Sequence, residues 1–171
     1  MVGSGLPASI HRRTSLRAPE RGSGGSEVHR GRRPEDRARI VVTVIDDRAL
    51  FGESLATAVN AQAGDIVMTH WRVGQALADP AAALRDADVV LVCIGRTGLS
   101  KGATNHLLKA LLGTDPHPPI AVLSDTVSPG MVRTGMGMGL DGIIASTVPL
   151  RSVIDALRRI HSGATVLPNM H

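Results

Sequence analysis

The chain has 171 residues, which suits one domain large enough to bury a core without disulfides or a structural metal. Its single cysteine excludes an internal disulfide, and one Phe, one Trp and no Tyr exclude an aromatic platform for nucleic-acid bases. The formal net charge is +4, but residues 1–39 alone hold nine basic and four acidic side chains, so the remainder gives no electrostatic case for nucleic-acid binding.

The first 38 residues differ in composition from the rest. They are rich in Gly, Ser, Pro and Arg and show no apolar period, which predicts a disordered basic tail over residues 1–38 before a domain over residues 39–171. We find no apolar run of membrane-spanning length and no secretory signal. We therefore expect a cytoplasmic protein without membrane contact.

From residue 39 onward, strand-like and helix-like segments alternate, which predicts a parallel sheet with crossover helices. The predicted strands are residues 40–45, 65–70, 87–94, 120–123 and 142–145. The predicted helices are residues 49–62, a segment within 73–84 interrupted at Pro80, 103–112, 129–138 and 149–161. The fourth predicted helix holds three glycines, and each interior one costs about 1 kcal/mol relative to Ala, so we expect it to be among the least stable elements.

Two adjacent carboxylates, Asp46 and Asp47, follow the first predicted strand. In an open α/β sheet, ligands bind where strands end and helices begin, and paired carboxylates there usually hold a cation because they otherwise repel each other. The alternative interpretation is that Asp46 ends the strand and Asp47 caps the following helix.

Other motifs do not indicate an enzyme. Gly137, Gly139 and Gly142 match G-x-G-x-x-G, but they end a helix and lead into a strand, whereas a dinucleotide loop follows a strand and opens a helix. The histidines have no metal-ligand spacing. Ser124 and Asp125 could belong to a hydrolase, but the chain has no G-x-S-x-G turn.

From Ile40 onward the sequence resembles the receiver domain of bacterial two-component response regulators, particularly those of the NarL/FixJ class. The segments that carry the resemblance are IDDRALFGESL, ADVVLVCIG, PIAVLSD, GLDGII and PLRSVIDALRRIHSG, followed by ATVLP. The resemblance implies a flavodoxin-like (CheY-like) doubly wound α/β fold with five parallel strands in the order 2-1-3-4-5. The switch point between strands one and three would then bring Asp46, Asp47 and position 93 together.

The same resemblance shows which parts of a phosphorylation site are missing. Cys93 stands where the family has its phospho-accepting aspartate, and Ser146 stands where it has a lysine that contacts the phosphoryl group. Ser124 keeps the family's small hydroxyl residue at the end of the fourth strand. We therefore expect a remnant pocket of Cys93, Ser124 and Ser146 without its cation, in which Asp46 and Asp47 bind Mg²⁺ at most weakly. Cys93 itself is either an inert buried thiol or a thiolate exposed at the acidic mouth of the pocket.

These features predict an atypical receiver, or pseudo-receiver, that signals through protein contacts without the usual aspartyl phosphorylation. We expect its partner to be a sensor kinase, another regulator or a second copy, bound through the fourth helix, fifth strand and last helix. One alternative is a receiver still phosphorylated at another residue. The other is a LuxR/NarL-type transcriptional regulator whose DNA-binding domain is missing, because the sequence stops at His171, where a linker would begin.

Overall fold

The computed structural model describes residues 39–169, and the predicted tail over residues 1–38 lies outside the described residues. Five parallel strands form one sheet in the order β2-β1-β3-β4-β5. Their bounds are β1 Ile40–Ile45, β2 Ile66–Trp71, β3 Val89–Gly95, β4 Ile120–Ser124 and β5 Gly142–Ala145. The predicted strand order is therefore confirmed.

Six helices join or follow these strands in the described part of the chain. Their bounds are α1 Ala49–Gln62, α2 Val73–Ala78, α3 Pro80–Leu84, α4 Gly102–Leu112, α5 Pro129–Met138 and α6 Leu150–His161. The helix predicted within residues 73–84 is thus two short helices. Pro80 stands in the first turn of α3, where its missing N–H is harmless, and the Asp79 side chain accepts a hydrogen bond from the Ala82 N–H at 2.9 Å.

Helices cover both faces of the sheet, and β3 shows this most clearly. Val89, Leu91 and Cys93 belong to the core that packs on α1 and α6. Val90 and Val92 belong to the core on the opposite face, with the leucines of α4. The alternation follows from the two-residue period of a strand, and burial on both faces explains why β3 is almost wholly apolar.

The outer edge of β2 is partly closed by a side chain from α1. Asn60 accepts a hydrogen bond from the Met68 N–H at 2.7 Å and donates one from Nδ2 to the Met68 carbonyl at 2.9 Å. A carboxamide thus pairs with the backbone as another strand would. An exposed strand edge can pair with a strand of another molecule. Asn60 prevents this at Met68, in the middle of β2, by hydrogen bonding to both its N–H and its carbonyl.

The far edge of the sheet is covered differently. After α6 the chain returns beside β5, where the Ile143 N–H donates to the Val166 carbonyl at 2.8 Å. Arg158 of α6 makes a bidentate ion pair with Asp65, which directly precedes β2. This contact connects α6 to the strand at the other edge of the sheet. No helix within residues 39–169 is long and apolar enough to cross a membrane.

The glycines of α5 have unequal roles, and this gives a stability prediction. A Cβ added at Gly137 would meet no heavy atom within 4 Å, so Gly137→Ala should stabilise the fold by about 0.5–1 kcal/mol. A Cβ at Gly135 would lie 2.8 Å from Ile143 Cδ1, so Gly135→Ala should lose that gain and destabilise by about 1 kcal/mol. Urea unfolding of both variants measures the difference, and equal gains would contradict it.

Candidate functional site

The carboxyl ends of β1, β3 and β4 meet around an open cleft of about 500 Å³. Asp46, Asp47 and Cys93 all line it, as the strand order implies, and Asp125, directly after β4, completes the acidic wall. Gly95 closes β3 with a positive φ of 57°, and the pairing of β3 with β4 shifts register between Cys93 and Gly95. This irregularity lets the Asp125 N–H donate to the Gly95 carbonyl at 2.7 Å.

Asp46 is a buried carboxylate, only 2% exposed, and Arg48 neutralises it. Oδ1 accepts hydrogen bonds from the Arg48 backbone N–H at 2.7 Å and from Nε at 3.1 Å, and Oδ2 accepts one from Nη2 at 2.8 Å. The loop after β1 therefore folds back so that a residue two positions along forms a bidentate ion pair with the acid. His70 of β2 donates from Nε2 to the Asp46 carbonyl at 2.8 Å and supports the loop from the other side.

The Arg48 guanidinium reaches beyond Asp46. Its Cζ lies 4.4 Å from the centroid of the Phe51 ring, and its Nη1 lies 3.8 Å from Oδ2 of Asp125. Hydrogen bonding to Asp46 raises the pKa of Arg48, so the side chain remains a cation. The family's lysine position is occupied by Ser146, as expected, but the pocket has a cation from another position, Arg48. The signal in the sequence was a basic residue directly after the acid pair.

Asp47 has a different partner from its neighbour Asp46. Its Oδ1 accepts a hydrogen bond from the Val73 N–H, at the first residue of α2, over 3.1 Å, and its carbonyl lies 3.4 Å from Nη2 of Arg72. The Asp47 side chain thus accepts a hydrogen bond at the N-terminus of α2. The capping interpretation assigned Asp47 to the N-terminus of α1, and that assignment is wrong. This contact belongs to a residue far along the chain, so local spacing could not indicate it.

Cys93 is buried at the bottom of the cleft, with 7% of its surface exposed. Burial raises the pKa of the Cys93 thiol, and the nearby charge of Asp46 raises it further. The thiol is therefore protonated at neutral pH, which agrees with the inert interpretation and not with an exposed thiolate.

The two serines of the predicted remnant pocket have different surroundings. Ser124 is fully buried, and its hydroxyl donates to the Thr126 carbonyl at 2.7 Å within the turn between β4 and α5. Ser146, just after β5, donates from Oγ to Oδ1 of Asp125 at 2.6 Å. Asp125, which the sequence offered only as a hydrolase residue, thus joins the residue at the lysine position to Arg48.

These residues, as arranged, do not fit a divalent cation. Both oxygens of Asp46 are hydrogen-bonded to Arg48, and the third member of the predicted set is a thiol, a poor ligand for a hard ion such as Mg²⁺. Within residues 39–169 no group of three His, Cys, Asp or Glu side chains could hold a metal ion.

Comparison with known proteins identifies the fold. No protein-family model and no curated protein matches the chain. The receiver domain of the stress response regulator RcsB from Escherichia coli is similar in structure, with a TM-score of 0.63 and 19% identity over 77% of this chain and 99% of that one. A LuxR family DNA-binding response regulator from Silicibacter pomeroyi has a TM-score of 0.61 and 21% identity over 76% and 97%.

A longer protein, the RcsB response regulator of Salmonella typhimurium, gives a TM-score of 0.62 and 19% identity over 77% of this chain and 62% of that one. The five-stranded order and these likenesses define the class of structure: the chain has the CheY-like receiver fold.

The state of Cys93 gives a chemical prediction. Iodoacetamide at neutral pH should alkylate the folded protein more slowly than the urea-unfolded protein, on the order of a hundredfold, because the raised pKa and burial leave little accessible thiolate. Intact mass against time measures both rates. Equal rates in the two states would show that the thiol is exposed at the mouth of the cleft.

Proposed function

We propose that this domain is an atypical receiver of a response regulator and transmits signals through protein contacts without aspartyl phosphorylation. The observation that carries the proposal is a buried thiol, Cys93, at the carboxyl end of β3, facing the acid wall of the cleft. The receiver fold supports the assignment to receivers. The residues that line the cleft support the proposal that this receiver works without aspartyl phosphorylation.

The chemistry of the cleft argues against phosphoryl transfer. In the resembling family a carboxylate attacks the phosphoryl group while a metal and a lysine balance its charge. Here the group at that place is a protonated thiol, and Ser146 has no charge and donates to Asp125. An incoming phosphoryl group would also meet three carboxylates, of which only Asp46 and Asp125 are near the Arg48 cation.

We therefore expect no phosphorylation by acetyl phosphate in the presence of Mg²⁺. Because acyl phosphates are labile, intact mass should be read promptly at neutral pH. A matched control is a receiver with a complete site treated in the same way.

A gain of one phosphoryl group that survives Cys93→Ala but disappears on Asp47→Asn would contradict the proposal. That result would establish the alternative, a receiver phosphorylated at another residue.

The surface proposed for protein contact consists of α5, β5 and α6. Met131, Met136 and Met138 are only partly buried and pack on the core beneath α5, so they serve the core as well as the surface. Val148, in the turn that leads into α6, is 36% exposed and is one of few large apolar side chains so placed in the described part of the chain. We propose that a sensor kinase, another regulator or a second copy binds here.

Substitutions on this surface should weaken association and leave the fold intact. Val148→Glu and Arg133→Glu each place a negative charge on an exposed position of the surface, and we expect either to weaken self-association or partner binding at least about tenfold. Leu50→Glu is the matched control, because Leu50 is 82% exposed but lies on α1. Sedimentation and circular dichroism measure association and fold. Loss of association only with Leu50→Glu would assign the contact to α1.

A second candidate is a LuxR/NarL-type transcriptional regulator of which this chain is the receiver part, without the DNA-binding domain. It is favoured by the similarity to the longer Salmonella typhimurium RcsB regulator, whose structure was studied for its interaction with DNA. A coding sequence for a DNA-binding domain in frame beyond His171 would support this candidate over the first, and a stop codon there would count against it.

A further inference from the structure

We infer that Arg48 is the built-in cation of this cleft and holds the ends of β1, β4 and β5 in one arrangement in place of a bound metal. The inference rests on the proposed function, because it names how the site of that receiver is kept in a single state. Three successive contacts support this role: Asp46 pairs with Arg48, Arg48 with Asp125, and Asp125 with Ser146.

Arg48 contacts two carboxylates of the cleft. Two acids, in the loops after β1 and β4, share its guanidinium, with Nη2 at 2.8 Å from Asp46 and Nη1 at 3.8 Å from Asp125. A planar fork with several N–H donors can engage two carboxylates at once, which the compact ammonium group of a lysine does less well. The Phe51 ring lies against the guanidinium and restricts the positions it can take.

The Arg48 guanidinium occupies the ligands that a metal would use. A divalent cation at this place would need the same Asp46 oxygens that now accept from Arg48. The backbone at Gly95 also approaches closely, since a Cβ built there would lie 3.6 Å from Arg48 Nη1. The side chain therefore occupies the space beside Asp46, and a metal can enter only when Arg48 leaves.

The series of contacts ends in the loops after β4 and β5. Asp125 stands between β4 and α5, and Ser146 stands between β5 and α6, so their 2.6 Å hydrogen bond joins two loops that border the proposed contact surface. The Ser146 N–H also donates to the Ser124 carbonyl at 2.8 Å. Arg48 thus connects the loop after β1 to both of these loops without a ligand.

Mg²⁺ titration of the whole chain tests the displacement. Arg48→Ala should tighten Mg²⁺ binding about tenfold or more, because it frees the Asp46 oxygens and removes a competing charge a few ångströms away. Arg96→Ala is the matched control, since Arg96 lines the same cleft but forms no ion pair within residues 39–169. An unchanged affinity in Arg48→Ala, or an equal gain in both variants, would overturn the inference.

Hydrogen exchange tests the connection between the loops. Without Mg²⁺, Arg48→Ala should speed exchange at the Asp125 and Ser146 amides several-fold, and Asp125→Ala should do so at the Ser146 amide. The amide of Val122 in the middle of β4 should stay protected in both variants. If Arg48→Ala fails to fold, Arg48→Gln provides the same comparison with the volume largely retained. Unchanged exchange at both loop amides would overturn the inference. Neither experiment measures phosphorylation, so their failure would leave the proposed function standing, and a phosphorylated protein would leave the Arg48 results intact.

Discussion

The structure depends on how one buried charge is compensated. The Asp46 carboxylate is almost inaccessible to water, and an uncompensated carboxylate in that position would cost far more than a small domain can tolerate. Arg48 supplies the compensation from the same loop, and its own half-exposed side chain keeps part of its hydration. Water therefore screens the pair on one side only. The conformation of the loop after β1, and with it the entry into α1, follows from this ion pair and from the hydrogen bond that the Asp46 backbone accepts from His70.

Because Arg48 engages Asp46, the two adjacent acids need not share a ligand. Asp47 is free to accept a hydrogen bond from the first N–H of α2, and this contact joins the loop after β1 to the loop after β2. On the other side of the cleft, Asp125 faces the same guanidinium and accepts from Ser146. An acidic pocket that resembles a metal site in sequence is thus a set of internal ion pairs and hydrogen bonds. Its polar groups are satisfied within the chain, as buried groups usually must be.

The secondary structure could be predicted because its signals are local and periodic, whereas the strand order was implied by the resemblance to receiver domains. The apolar runs of β1, β3 and β4 and the leucine spacing of α4 identify their elements from sequence neighbours alone, and the strand order then places Asp46, Asp47 and Cys93 at one cleft. The role of Arg48 could not be predicted in this way, because the ion pair needs the backbone to fold back over two residues. The hydrogen bond between Asp125 and Ser146 spans 21 residues and depends on the register of β4 with β5. No spacing in the sequence encodes that register.

The glycines of α5 show what a local rule leaves out. Counted along the sequence, they predict a helix of low stability and say nothing of tertiary packing. In the structure, Gly135 is buried where α5 approaches β5, and its missing side chain leaves room for Ile143. The glycine therefore contributes to close packing between the helix and the strand, and only Gly137 stands in open space. Since Asp125 precedes α5 and Ser146 follows β5, this close packing and the polar contacts of the cleft act on the same two elements. The stability of α5 therefore depends on its packing against β5 as well as on the propensity of its own residues.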